Sequence, residues 1–255
     1  DVQVPKNAFS VITGVSGAGK TTLLHDELYK KLPGARFIDP VVRGTRTASN
    51  VVGFFDVFKS LRELYAKLKE SKINHYTPGH FSFNSPRGRC EQCGGKGYTE
   101  IEMQFLPTVD LVCGQCNGSG YRPDVLKIKY KEKNIHQMLE TSIDQLIDLV
   151  RDDISAGALK ILQNIAGNGL GYLKAGQRLN TLSSGELQRM KLVNALETGK
   201  RTPSGVLFLI DEPTFGMHHY DVEMVKKLID RLVAAGNTVV AAEHHPRLIA
   251  HADYI

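Results

Sequence analysis

The chain lacks any apolar run approaching the roughly 18 residues that a membrane-spanning helix requires; its densest stretches, Val206–Ile210 and Val239–Ala242, are far shorter. Cysteine is scarce. All four cysteines of the 255 residues lie between Cys90 and Cys116, which argues against a dispersed disulfide framework and for a metal site in a reducing compartment. Charge of one sign is not in marked excess: 32 Lys and Arg against 27 Asp and Glu give a net +5, which permits an anionic partner without demanding one. There is no basic-then-apolar leader, Asp1 stands where a Met would, and Ile255 closes an apolar stretch, so a fragment of a longer protein is expected. What is present is a 42% hydrophobic fraction, enough for a real core and too much for disorder. A soluble, cytoplasmic protein with no membrane partner is expected.

The pattern along the chain is α/β. Asp1–Thr13 alternates apolar and polar residues as a strand does, and a glycine-rich loop follows it. A helix should begin near Lys20, carry Leu23, Leu24, Leu28 and Leu32 inward, and stop at Pro33-Gly34. A strand around Arg36–Ile38 comes next. Between residues 41 and 133 the rhythm is broken, with a basic amphipathic helix near Val57–Lys72 and then a stretch rich in Gly, Cys and aromatics, so an insertion is expected there. Helices are expected at Ile135–Val150, Gly157–Ala166 and Gly185–Leu196, then a buried strand at Val206–Ile210. Asp221 should cap a helix presenting Val222, Val225, Ile229 and Leu232 on one face, with Gly236 ending it before a strand at Thr238–Ala242. Alternating strands and helices predict a parallel sheet covered on both faces. The ATP-binding core would comprise 1–40 and 134–255, with the insertion at 41–133 and a zinc module at about 81–123.

Three motifs carry ATP chemistry. Gly14-x4-Gly19-Lys20-Thr21 is a complete P-loop between a strand and a helix. In such a loop, backbone N–H groups from Gly14 through Thr22, including Ser16, Gly17 and Gly19, wrap phosphate; Lys20 neutralises β/γ oxygens and Thr21 ligates Mg²⁺. Val206–Ile210 then delivers Asp211 and Glu212 to the C-terminal edge of the sheet. Asp211 is expected to hold Mg²⁺ and Glu212 to polarise the attacking water. Leu182-Ser183-Ser184-Gly185-Glu186 resembles the signature of ABC-type ATPases, which serves the ATP bound by the opposite domain through Ser183 and Gly185. His244 occupies the place of that family's switch histidine. A second metal at His218, His219, His244 and His245 is the less economical reading, and Lys127–Lys133 reads as an edge strand with solvated lysines.

Cys90-x2-Cys93 and Cys113-x2-Cys116 have the spacing of a four-thiolate zinc site. Each sits in a repeated Cys-x2-Cys-x-Gly-x-Gly-Tyr knuckle. Two disulfides are the competing account. Four thiolates close the coordination sphere, so the metal's role is expected to be structural.

A zinc module between Walker A and signature is not found in ordinary ABC transporter ATPases. Essentially the whole chain resembles the UvrA family of the excinuclease ABC system, and its second nucleotide-binding half in particular. The resemblance rests on the P-loop, Phe81-Ser82-Phe83-Asn84, Gly88-Arg89-Cys90, Glu102-Met103-Gln104-Phe105-Leu106-Pro107, Gly169-Leu170-Gly171-Tyr172-Leu173 and Asp211-Glu212-Pro213-Thr214. It implies an ATPase, not itself a nuclease, that senses DNA damage for excision repair or protects against DNA-modifying compounds. The implied cofactors are ATP, Mg²⁺ and Zn²⁺. Implied partners are a second nucleotide-binding domain in cis or in trans, a homodimer, duplex DNA and a helicase subunit. Pro40 stands where the family has the Q-loop glutamine, and Ser184 replaces a signature glycine, as in a diverged paralogue. The basic residues Arg43, Arg46, Lys59, Arg62, Lys67, Lys69 and Lys72, with Arg87 and Arg89 flanking the first knuckle, are the candidate DNA-phosphate contacts. The alternatives are an ATPase that powers a transporter and a nucleotide-binding scaffold with little turnover.

Overall fold

The computed structural model describes residues 3–39, 50–103, 106–199, 205–217 and 219–255. Pro40, Arg43, Arg46, Gln104, Phe105 and His218 lie outside the described residues. The strands are β1 (Phe9–Ile12), β2 (Arg36–Ile38), β3 (Tyr98–Met103), β4 (Leu106–Val112), β5 (Leu207–Asp211) and β6 (Thr238–Ala242). The chain divides into two compact units: Asp1–Gly44, Asn168–Leu170 and Leu182–Ile255 form the first, Thr45–Gly167 and Gly171–Thr181 the second.

The first unit is built on a parallel sheet of order β1-β6-β5-β2. Strand residues alternate between faces. Leu209, Val240 and Ala242 accordingly join Leu24 in one apolar cluster, against which Leu28 and Phe37 pack. Phe208, Ile210, Val239 and Ala241, of opposite parity, are also fully buried. The helix His219–Ala234 packs on β6 and β1 and buries Val222, Val225, Leu228, Ile229 and Leu232 completely. Every residue of β6 is buried, as a central strand covered on both faces should be.

Local details depart from the sequence expectation. The helix after the P-loop is α-helical only over Lys20–Thr22 and continues with wider i→i+5 turns over Leu23–Tyr29, so it ends before Leu32, which is exposed. Asp221 lies in the first turn of its helix rather than at the cap. The first strand covers only Phe9–Ile12.

The second unit begins with short helices at Val51–Phe54, Val57–Lys67 and Lys69–Ile73, broken at Leu68, whose ψ of 149° is extended. Exposed Lys59, Lys67, Lys69 and Lys72 lie along them, while Arg62 lies over the Phe58 ring. The expected long helix at Ile135–Val150 is two helices, Ile135–Leu139 and Ile143–Val150, because Asn134 and Ser142 each form a capping box. Lys127–Lys133 is not an edge strand. Ile128 and Tyr130 are buried, Lys131 and Glu132 have φ of 45° and 63°, and Tyr130 and Lys133 exchange both backbone hydrogen bonds across a two-residue turn. Residues 134–167 and 171–181 also part from the expected boundary at 133. Val51 and Val52 N–H groups donate to Gln177 and Ala175, and Ile143 donates to Leu173, so these helices fold with the cysteine-bearing segment.

Leu24 is wholly buried in the cluster behind the P-loop. Leu24→Ala should therefore destabilise the first unit by about 2–5 kcal/mol, read as a lower urea midpoint for that unit's transition.

Candidate functional site

In-register parallel pairing places Ile12, Ala242 and Asp211 level with one another at the same sheet edge. The P-loop, Asp211-Glu212 and Glu243-His244 all leave the sheet there. They bound a cleft of about 580 Å³ lined by Gly14, Val15, Ser16, Gly17, Gly19, Lys20, Thr21, Thr22, Glu212 and His244. Gly19 enters the helix with φ 83°, a left-handed conformation that a side chain resists. The Lys20 ammonium folds back over the loop, donating to the Gly14 carbonyl at 2.8 Å and the Val15 carbonyl at 3.0 Å.

Thr21 Oγ1 donates to Asp211 Oδ1 at 3.2 Å, so the two expected Mg²⁺ ligands are already adjacent. Burial pushes the Asp211 carboxyl above its ordinary value; the carboxylates of Glu212 and Asp39 act in the same direction, and the Thr21 hydroxyl opposes them. A divalent cation beside Asp211 would reverse that cost, so hard oxygen donors and a local excess of negative charge both fit Mg²⁺. Glu212 turns off the end of β5 with φ 44°, and its N–H donates to the Ala242 carbonyl. That residue lines the P-loop cleft, whereas Asp211 lines the adjoining hollow with Thr21 and Asp39. Lys191 donates to the Asp39 carbonyl from the signature helix.

Sequence reasoning did not single out Glu243, which is fully buried. Its Oε1 accepts from the His244 and His245 N–H groups at 2.7 and 2.9 Å; Oε2 accepts from Thr214 N at 3.1 Å and Thr214 Oγ1 at 2.6 Å. One carboxylate thus ties the loop after β5 to the turn that carries His244. The signal available in sequence was an acid immediately after the apolar strand Thr238–Ala242.

Ser183 and Gly185 do not line the P-loop cleft. Ser183 is the cap of the helix Ser184–Gly199: its N–H donates to Glu186 Oε2 at 2.7 Å and its Oγ accepts from Glu186 N at 3.2 Å. His245 caps the helix Pro246–Ile249 rather than joining a metal cluster.

In the second unit the four cysteines converge. All four Sγ atoms lie within 4.8 Å of one another and are buried. Cys90 and Cys113 sulfurs are 3.9 Å apart and those of Cys93 and Cys116 3.7 Å. Four sulfurs at about 2.3 Å from a tetrahedral zinc would be about 3.8 Å apart, whereas a disulfide needs about 2 Å. All four cysteines are free, so no disulfide links either Cys-x2-Cys pair. The two knuckles mirror each other: Gly97 N donates to Cys93 Sγ at 3.2 Å and Gly120 N to Cys116 Sγ at 3.3 Å, while Cys113 N donates to the Gly97 carbonyl and Cys90 N to the Gly120 carbonyl. A Cβ on Gly97 would sit 2.4 Å from the Gly118 carbonyl oxygen, and one on Gly120 2.5 Å from that of Gly95. Burial pushes the Cys116 thiol up to about 12 and raises Cys90 as well. A hydrogen bond from the Cys116 backbone instead holds the Cys113 thiol down at about 7, and a cation at the centre would favour the thiolate form of all four. Between the knuckles runs the antiparallel β3–β4 hairpin, unforeseen from sequence. Arg87 is exposed and Arg89, half-buried, bridges to Tyr121.

A parallel sheet with a P-loop, an acidic pair after β5, a histidine after β6 and a capped Ser-Ser-Gly-Glu helix define an ABC-type P-loop ATPase domain, here with an inserted cysteine module. No protein-family model matches the chain. Over its whole length it is 40% identical to UvrABC system protein A of Aquifex aeolicus and 39% identical to that of Borreliella burgdorferi, covering 30% and 29% of those proteins. Its fold superposes on the crystal structure of UvrA2 from Deinococcus radiodurans with a TM-score of 0.89 at 36% identity, over 99% of this chain and 32% of that one. Along its whole length the chain is similar to the UvrA proteins, and it spans about three-tenths of the relatives it matches. No described helix is long and apolar enough to cross a membrane.

Replacing Glu243 with Ala would leave two buried donors of Thr214 and two part-buried backbone N–H groups without this acceptor. At least about 2 kcal/mol of stability should be lost, measured by denaturant unfolding of the first unit. Glu243→Gln should lose less, since one oxygen still accepts.

Proposed function

We propose that the chain is one nucleotide-binding half of an ATP-dependent, DNA-damage-sensing protein of the UvrA type, active in the cytoplasm. The observation that carries the reading is the pairing, in one chain similar throughout to UvrABC system protein A, of an ATP cleft with a four-cysteine module. A transporter ATPase has no evident use for that module. The similarity to UvrA2 supports the narrower reading of a diverged paralogue without replacing the first.

In this reading Lys20 leaves the Gly14 and Val15 carbonyls to neutralise the β- and γ-phosphates, and the P-loop N–H groups hold the phosphates in place. Thr21 and Asp211 hold Mg²⁺, which when bound neutralises phosphate charge. Glu212, at the rim of the cleft, accepts a hydrogen bond from the attacking water and draws off its proton. His244 reaches the γ-phosphate from the end of β6, and Glu243 fixes the turn that presents it. Ser183 and Gly185, off this cleft, contact the ATP of a second nucleotide-binding domain, so turnover needs a dimer or a tandem arrangement. Cys90, Cys93, Cys113 and Cys116 hold one structural Zn²⁺. Duplex DNA meets Arg87, Arg89 and the lysines of the Val57–Ile73 region through its phosphates, which suits a sensor of chemically varied lesions. A helicase subunit is the downstream partner.

Metal analysis of protein purified without chelator should give one zinc per chain; a metal-free, folded protein would contradict the module's assignment. Glu212→Gln should retain ATP affinity within a few-fold and reduce turnover by about 10²-fold or more, measured by nucleotide binding and steady-state phosphate release in the dimeric protein. Replacing Arg87 and Arg89 together with Ala should weaken duplex binding and flatten its salt dependence by up to about two units of log–log slope.

A further inference from the structure

A further cavity, of about 130 Å³, lies wholly within the second unit beside both knuckles and belongs to neither the ATP cleft nor the thiolate cluster. At roughly 30 Å³ per water it has room for about four waters, or for a small anion. Arg178 forms part of its wall and is fixed in three ways. Its guanidinium lies 4.3 Å from the centroid of the Tyr98 ring, its Nη2 donates to the Lys96 carbonyl at 2.6 Å, and its backbone bridges to Asn50. Among the described residues that is its one side-chain hydrogen bond, so further N–H groups of the planar fork are held ready for another acceptor. Lys96, also on the wall, stands 5.9 Å from the same ring and is paired with Glu100 at 2.9 Å. Ser119 adds a hydroxyl that can turn as donor. Glu140 is the acid on the wall, and Lys174 neutralises it at 2.8 Å. Burial lowers the pKa of His136, leaving a neutral imidazole beside the cations.

We infer that this cavity is a phosphate-binding pocket in which Arg178 supplies a forked contact and Lys96 a second charge. The knuckle builds it: Lys96 N donates to the Cys93 carbonyl and the next residue, Gly97, donates to Cys93 Sγ, so metal binding fixes the backbone on which Lys96 and Tyr98 stand. The phosphate comes from the backbone of duplex DNA or from free phosphate. The first source rests on the function proposed above; the pocket's chemistry does not.

The test titrates inorganic phosphate into the zinc-loaded protein while a non-hydrolysable ATP analogue fills the P-loop cleft, and measures duplex affinity across a salt series. Arg178→Gln and Lys96→Gln are compared with the parent, and zinc content and Tm confirm that each remains folded. Lys96 is exposed, so its variant decides should Arg178→Gln lose zinc. At least a tenfold loss of phosphate affinity in the variants is expected. A fall of about one in the salt slope for each lost contact identifies the ligand as a DNA phosphate, and an unchanged slope with phosphate affinity lost identifies it as free phosphate. A protein that binds phosphate through these residues but no duplex retains the pocket and removes the DNA reading. If neither phosphate affinity nor salt slope depends on Arg178 or Lys96, the inference is overturned.

Discussion

Parallel, in-register pairing of β1, β6 and β5 is the constraint on which the ATP cleft depends. Because Ile12, Ala242 and Asp211 end level, three segments far apart in sequence discharge their polar residues at one edge. Apart from Thr238 and Asp211, β5 and β6 are apolar and almost wholly buried, so a slip in register would cost core burial before it moved a functional group. Packing thus fixes the spacing that phosphate chemistry needs. The helix behind the P-loop adds to this by pinning Leu24 against Leu209 and Val240.

Two buried groups of opposite character then set the local geometry. Glu243 is a carboxyl group satisfied by four donors, and it joins the loop after β5 to the turn at His244. Such a carboxylate is stable only while all its partners are in place, so movement of the Thr214 loop must be felt at His244. The cysteine cluster works the other way. Burial pushes Cys116 and Cys90 toward the neutral thiol, and a dication at the centre would turn that penalty into cohesion of the two knuckles.

The grouping of the candidate residues was legible in the sequence because it is local. The P-loop, Asp211-Glu212 and the two Cys-x2-Cys pairs are each set by a few adjacent residues, and the structure brings each set together where spacing alone would put it. The misreadings share a cause in contacts between distant segments. The boundary at 133 failed because 171–181 hydrogen-bonds to Val51, Val52 and Ile143, none of which has a sequence signal. Lys127–Lys133 alternated like a strand, yet left-handed Lys131 and Glu132 fold it into a turn that Ile128 and Tyr130 anchor. Leu32 followed the period of an α-helix whose wider turns end at Tyr29. Arg178 and Lys96 are 82 residues apart, and no periodicity could have joined them on one ring.

The central claim is that an ATP cycle in the first unit serves recognition of DNA. Steady-state ATP hydrolysis by the dimeric, zinc-loaded protein, measured with and without duplex DNA carrying bulky lesions, tests it most directly. The account predicts a turnover rate that changes severalfold on adding DNA. A rate indifferent to DNA, damaged or intact, in a protein that hydrolyses ATP would contradict it.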